Sequence, residues 1–218
     1  MNEMVVILLI ALASYFIGSI PFGLLVGKSR GVDIRQQGSR NIGASNAGRV
    51  LGRKFFFLVF LLDMCKSMVP MLIASFVALR VPDIDRSTLL YLAWVSVGVA
   101  AMVGHVFPIY LGFKGGKGVA TGAGVLLGLY PYFTLTGLIA IGVFIVVVLI
   151  TRYISVASII ASFSFPIVYL IFGLSRDWDV FGSQLPLLIV GVLLSTLILL
   201  RHRENIRRLL AGTENKIR

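Results

Sequence analysis

Met4 to Leu25 reads MVVILLIALASYFIGSIPFGLL, and Phe55 to Leu79 reads FFFLVFLLDMCKSMVPMLIASFVAL. Each reaches the roughly 20 residues that an α-helix needs to cross the hydrocarbon core of a bilayer. Outward from these two stretches, apolar runs between charge clusters predict helices near residues 4–26, 55–79, 89–111, 118–130, 133–151, 156–174 and 185–200. The fourth lies between the glycine segment Lys114-Gly115-Gly116-Lys117-Gly118 and Pro131. At about 13 residues it is expected as a short or half-spanning element.

With 58% hydrophobic and 13% charged residues in 218, the chain carries too much apolar surface for a soluble domain of its size. The expectation is an all-α membrane protein with seven transmembrane helices, one polytopic domain over residues 1–218 without internal repeats. The first run has no basic start and no small-residue cleavage site, and Glu3 precedes it, so it is read as a helix and not as a signal peptide. Cys65, the single cysteine, falls in an apolar run, where a thiol behaves as a small hydrophobe.

Seven crossings put segments 27–54, 112–117, 152–155 and 201–218 on one side, with seven, two, one and six Lys or Arg, sixteen in all. The other side holds three, Arg80, Arg86 and Arg176, in short solvated turns around Pro82-Asp83 and Arg176-Asp177; Lys66 lies within the second helix. The positive-inside rule then places the N-terminus outside and the C-terminus in the cytoplasm. The net charge of +11 sits at membrane borders rather than in one soluble module. That distribution points to anionic lipid or phosphate and away from nucleic acid.

The first basic segment, 27–54, contains Gly38-Ser39-Arg40-Asn41-Ile42-Gly43-Ala44-Ser45-Asn46-Ala47-Gly48-Arg49. Glycines let backbone N–H groups approach an oxyanion, Ser39 and Asn46 can donate hydrogen bonds, and Arg49 supplies a planar, permanent charge. A phosphate cradle and an ordinary turn whose arginines meet lipid headgroups both fit this loop.

The second segment, 104–122, carries Gly104-His105-Val106-Phe107-Pro108 and then Lys114-Gly115-Gly116-Lys117-Gly118-Val119-Ala120-Thr121. A helix begins after the glycines, so unsatisfied amides and the positive dipole end face the loop, and Lys117 adds a mobile charge. The spacing of a nucleotide-binding P-loop is missing and no strand precedes it. A flexible hairpin is the competing reading.

The third segment, 201–214, follows the last span as Arg201-His202-Arg203-Glu204-Asn205-Ile206-Arg207-Arg208-Leu209-Leu210-Ala211-Gly212-Thr213-Glu214. Its cations can anchor to headgroups. If it continues as a helix, His202 and Asn205, three apart, share a face that can point into a site. Asp63 and Lys66 are also three apart and read as an intramembrane ion pair. Ser155, after Arg152-Tyr153, is either a ligand or a helix cap.

Together these stretches resemble the bacterial acyl phosphate:glycerol-3-phosphate acyltransferase family over nearly the whole chain. The resemblance rests on Gly38-Ser39-x-Asn41-x-Gly43-Ala44-x-Asn46 with Arg49, on Gly104-His105-x-Phe107-Pro108 through Lys114 to Thr121, and on Arg201-His202-x-x-Asn205-Ile206. Gly18-Ser19-Ile20-Pro21-x-Gly23, Leu62-Asp63-x-x-Lys66 and Ser155 add to it. Ile42, Ser45 and Ser67 depart from the residues usual in the family.

The resemblance implies transfer of a fatty acyl group from acyl phosphate to the 1-hydroxyl of sn-glycerol 3-phosphate in the bacterial inner membrane, with the site facing the cytoplasm. It implies catalytic roles for Ser39, Lys117, His202 and Asn205. It implies substrate binding by Asn41, Gly43, Asn46, Arg49, Lys114, Gly115, Gly116, Gly118 and Ser155. No cofactor, no metal and no obligate protein partner are expected; membrane lipid is. Acyl phosphate is a mixed anhydride with a good leaving group, so charge neutralisation and alignment are the main demands. Neither His105 nor His202 has an acidic residue at the fifth position after it. A substrate phosphate oxygen is therefore available as proton acceptor. A transporter of a small organic anion and a lipid-recruiting scaffold are the alternatives from other classes.

Overall fold

A computed structural model describes residues 3–82 and 85–216. Asp83, expected in the outer turn with Pro82, lies outside the described residues. The elements are α1 (Glu3–Ser19), α2 (Phe22–Lys28), α3 (Ala44–Leu51), α4 (Arg53–Ala78), α5 (Thr88–Val106), α6 (Val119–Gly128), α7 (Tyr132–Thr151), α8 (Ile154–Ser175), α9 (Leu185–Arg201) and α10 (Arg203–Leu210). A 3-10 turn, Ile109–Leu111, follows α5.

Five stretches among the described residues are long and apolar enough to cross a membrane: Glu3–Lys28, Arg53–Ala78, Thr88–Leu111, Tyr132–Thr151 and Ile154–Ser175. α9 and α10, bent by 52° at His202, make a sixth if counted as one span. α6 has 10 residues. It rises only about 15 Å, half of a ~30 Å hydrocarbon core, so it is the short element expected between the glycine segment and Pro131.

The first predicted helix is in fact two. Pro21 has no N–H and cannot extend α1, so the chain breaks and resumes as α2. The break frees the Ile20 carbonyl, which accepts a hydrogen bond from Lys66 Nζ at 2.9 Å. Small residues let the helices close up: a Cβ at Gly18 would collide with the Ala101 backbone, and one at Gly104 with the backbone at Tyr15 and Ser19. α1 and α5 therefore cross backbone to backbone, the usual way helices pack where no hydrophobic effect drives them together. Gly124 of α6 makes the same close approach to Met64 of α4.

The bundle has two distinct ends. At one, Tyr132 Oη lies 2.8 Å from Tyr91 Oη and accepts from Arg86 Nη1 at 3.3 Å, and the Tyr132 and Trp178 ring centroids are 4.9 Å apart. Such aromatic residues with polar tips suit a membrane–water interface. The opposite end gathers Lys117, Ser155, Asn205 and Glu214. α6 leads from the second end to the first beside α4, where Ser67 Oγ donates to Thr121 O and Ser75 Oγ to Gly128 O, each at 2.7 Å. Between the ends the outer surface is apolar, with Phe76, Leu149, Ile150 and Phe163 exposed. That surface matches hydrocarbon and not water.

Candidate active site

All three motif segments meet at the second end. Lys117 Nζ donates to Asn205 Oδ1, joining the glycine segment to α10. Arg201 at the end of α9 donates to Gly116 O at 3.2 Å and to Gly115 O at 3.1 Å. The first loop closes a cleft of about 340 Å³ with both, lined by Arg35, Arg40, Asn41, Lys114, Gly115 and Arg201 among others. Ser155 arrives from the α7–α8 turn, held there by the left-handed Arg152 that ends α7.

Glu214 binds these parts together. Its Oε1 accepts from Asn205 Nδ2 at 2.7 Å and from Ser155 Oγ at 2.9 Å; its Oε2 accepts from Arg208 Nε at 2.6 Å. Burial alone would raise its carboxyl, but the three donors outweigh that and hold it below the usual carboxylate range. Asn205 thus has its amide fixed at both ends, carbonyl to Lys117 and N–H to Glu214. The orientation of a buried Asn is set by such partners.

Lys117 is half-buried, and its ammonium is drawn down to about 8, first by burial, then by the nearby Arg208 charge, with Glu214 opposing. Arg49 and Arg201 add to the positive potential around it. His202 caps α9, 3% exposed, with Nδ1 2.7 Å from Ile198 O. A carbonyl only accepts, so Nδ1 carries the hydrogen, and Nε2 is left as the acceptor nitrogen of a neutral ring.

Several residues picked from the sequence are here for another reason. Gly115 and Gly116 do not aim their N–H groups into a site: these donate to Val106 O at 3.1 Å and His105 O at 3.0 Å. Their smallness lets the segment lie between the end of α5 and Arg201, since a Cβ on Gly116 would strike the His105 ring. The donors left facing the loop are those of the first turn of α6, which lack carbonyl partners upstream in the helix. Gly118, at φ +87°, makes the turn into that helix.

Asn46, 1% exposed, braces the first loop from inside: Oδ1 accepts from Ser39 N at 2.7 Å, and Nδ2 donates to Ile34 O at 2.7 Å and Gln37 O at 3.2 Å. Asn41 Oδ1 accepts from Gly43 N at 2.9 Å. Arg35, Arg40, left-handed at φ +58°, Asn41 and Ile42 are what this loop presents to the cleft. Lys114 is exposed at the cleft rim, and Arg49 is exposed on α3. Glu214 received no role from the sequence, and Arg208 and Arg201 only that of anchors to lipid headgroups. The available signal was an acidic residue near the end of a strongly basic tail, which needs a partner wherever it is buried.

A model of the family described as glycerol-3-phosphate acyltransferase matches residues 8–212. Among curated proteins of that name, one from Chlorobium phaeobacteroides is 43% identical over 239 residues, covering 99% of this chain and 98% of the relative. One from Geobacter sulfurreducens is 43% identical over 213 residues, covering 97% of each. Two crystal structures of an integral membrane glycerol 3-phosphate acyltransferase have the same fold. The glycerol 3-phosphate form superposes with a TM-score of 0.79 at 38% identity, over 97% of this chain and 96% of that one. The lysophosphatidic acid form gives 0.77 at 37% identity, over 97% and 95%.

Proposed function

The chain belongs to the glycerol-3-phosphate acyltransferase family, and from that premise we propose that it moves a fatty acyl group from acyl phosphate to the 1-hydroxyl of sn-glycerol 3-phosphate. The products are lysophosphatidic acid and inorganic phosphate. The observation that carries this reading is the convergence of three separated segments on one polar cluster, buried Asn205, Ser155 and Glu214 with half-buried Lys117 and Arg208, and Arg201 and Arg49 beside it. Two phosphate-bearing substrates need several fixed cations in one place, and little else.

The glycerol hydroxyl attacks the acyl carbon, the carbonyl electrons pass to oxygen, and on their return the carbon–oxygen bond to phosphate breaks. The hydroxyl proton goes to a phosphate oxygen or to His202 Nε2, and the bridging oxygen leaves with the phosphate. Lys117 and the first turn of α6 neutralise the leaving phosphate. Arg49 holds the glycerol phosphate, and His202 with Asn205 orients the acceptor. Asn41 and Lys114 contribute at the cleft that they line and Ser39 acts from the same loop, next to Arg40, while Gly43, Asn46, Gly115, Gly116 and Gly118 shape the loops that carry the ligands.

The same reading has seven crossings of the bacterial inner membrane, N-terminus outside and site in the cytoplasm. It is supported by the chain leading from Lys117 at the site's end through α6 to Tyr132 at the other, by α7 leading back to Ser155, and by the sixteen basic residues that the sequence assigns to the site's end.

Purified protein given acyl phosphate and glycerol 3-phosphate is expected to form lysophosphatidic acid and inorganic phosphate in equal amounts, and to form no product from acyl-CoA. Equal or faster reaction with acyl-CoA, or no product from an intact preparation, would overturn the proposal.

A further inference from the structure

His105 stands in the segment Gly104-His105-Val106-Phe107-Pro108, yet it has no place among the ligands of the polar cluster. It lies at the end of α5, 4% exposed, with the glycine segment folded back over it. Its Nδ1 is 3.0 Å from Lys66 Nζ. An ammonium only donates, so Nδ1 accepts and Nε2 carries the ring hydrogen. The χ2 torsion of a histidine is soft, so it is this contact that fixes the rotation of the ring. Lys66 is held in turn by Asp63 Oδ1 at 2.8 Å and by Ile20 O at 2.9 Å. The backbone beneath is equally fixed, because Gly104 packs on Tyr15 and Ser19 of α1 with no room for a Cβ.

The edge of the ring away from Lys66, Cε1 and Nε2, meets Gly116, where a Cβ would strike both atoms. The glycine segment has little freedom to move along that edge. Gly115 N and Gly116 N donate to Val106 O and His105 O at 3.1 and 3.0 Å, while Gly115 O and Gly116 O accept from Arg201 at 3.1 and 3.2 Å. All four backbone polar groups of the two glycines are thus satisfied, inward by the end of α5 and outward by Arg201. Lys117 is the next residue. Its ammonium reaches Asn205 from a backbone whose height above α5 is set by the ring.

We propose that His105 is a positioning residue for acyl transfer: its ring edge, aimed by Lys66, is the stop against which Gly116 rests, and it thereby places the Lys117 ammonium at the substrate phosphates. The proposal rests on the acyl-transfer reading above, in which Lys117 neutralises the leaving phosphate. A misplacement of about 1 Å in such a site costs on the order of a hundredfold in rate.

The test is a double-mutant cycle on kcat/KM, read together with a pH profile. His105→Asn keeps an oxygen where Nδ1 stands, so Lys66 retains an acceptor, and removes the edge that faces Gly116. Gly116→Ala adds the Cβ that this edge forbids, and is expected to lower kcat/KM by about a hundredfold. His105→Asn alone is expected to lose about tenfold, because the bonds of the segment to α5 and Arg201 remain. The double variant is expected within about tenfold of the parent, since the Cβ enters the space that the edge has vacated; independent losses would instead multiply to about a thousandfold.

In His105→Asn the alkaline fall of kcat/KM, set by Lys117 at about 8, is expected to move to higher pH. Burial is the first cause of that lowering, and a segment without its stop lets the ammonium reach water, so the lysine stays charged further up the scale. Arg208, Glu214, Arg49 and Arg201, the charges around Lys117, are unchanged in every variant. A smaller folded fraction scales the rate alike at every pH and moves no limb. If His105→Asn fails to fold, His105→Ala takes its place in the cycle. Losses that multiply, or an unmoved alkaline limb, in folded variants would overturn the positioning role and leave acyl transfer standing. Absence of transfer from acyl phosphate in the parent protein would overturn both.

Discussion

Lys117→Ala is expected to lower kcat/KM for acyl transfer by about 10²–10³-fold while leaving the protein folded. Among the described residues, Lys117 is the ammonium in contact with the Asn205–Glu214 network. It also precedes the first turn of α6, so its charge and the helix dipole act on the same volume. Removing it deletes charge where the leaving phosphate forms. The fold does not depend on it, because Glu214 keeps its bonds to Asn205, Ser155 and Arg208.

The same residue sets a pH limit. Its ammonium is drawn down to about 8, first by burial. A lysine is charged below its pKa, so the site keeps its cation at neutral pH and loses it as pH rises through about 8. Above that point kcat/KM is expected to fall about tenfold per unit. Lys117→Arg keeps a charge far above this range, so whatever activity it retains should not show the decline. Initial rates of phosphate release across pH, for parent and both variants, check this. A Lys117→Ala variant with parental rates would remove the residue from the mechanism.

Asp63→Ala and Lys66→Met are each expected to destabilise the fold by about 3–5 kcal/mol. Asp63 Oδ1 and Lys66 Nζ are 2.8 Å apart, with side chains 3% and 2% exposed. Lys66 also meets His105 Nδ1 at 3.0 Å and donates to the Ile20 carbonyl freed at Pro21. One cation thus ties α4 to α5 and to the α1–α2 break. Removing either partner strands the other charge in the membrane interior. The double variant Asp63→Leu with Lys66→Met strands neither, so it should recover most of the loss, short of about 1 kcal/mol for the Ile20 carbonyl. Thermal unfolding in detergent of the three variants checks the cycle. Singles that melt like the parent but lack activity would show that the pair serves chemistry and not structure.

Where long apolar runs end in charge, the helices were legible: 55–79, 133–151 and 156–174 correspond closely to α4, α7 and α8. The break at Pro21 was not, because hydropathy runs straight through it and only the hydrogen bonds register the missing N–H. α3 was hidden in a loop of small and polar residues, and the bend at His202 in a segment whose helical period continues unbroken. The chemistry-bearing segments were legible from residue type. The use made of each residue was less so. Glycine serves an anion or a tight packing contact equally well, and at 115 and 116 it is packing. Asn46 donates as expected, but inward. Glu214 becomes visible only once the left-handed Gly212 turns the chain back onto α10.

The most direct test of the account is acyl phosphate carrying ¹⁸O in the oxygen that bridges carbon and phosphorus, reacted with glycerol 3-phosphate, with the products weighed by mass spectrometry. Attack at the acyl carbon breaks the carbon–oxygen bond, so the label is expected entirely in the inorganic phosphate and none in lysophosphatidic acid. Label retained on a fatty acid, with unlabelled phosphate released, would mean cleavage at phosphorus, and would contradict the assignment of this site to acyl transfer.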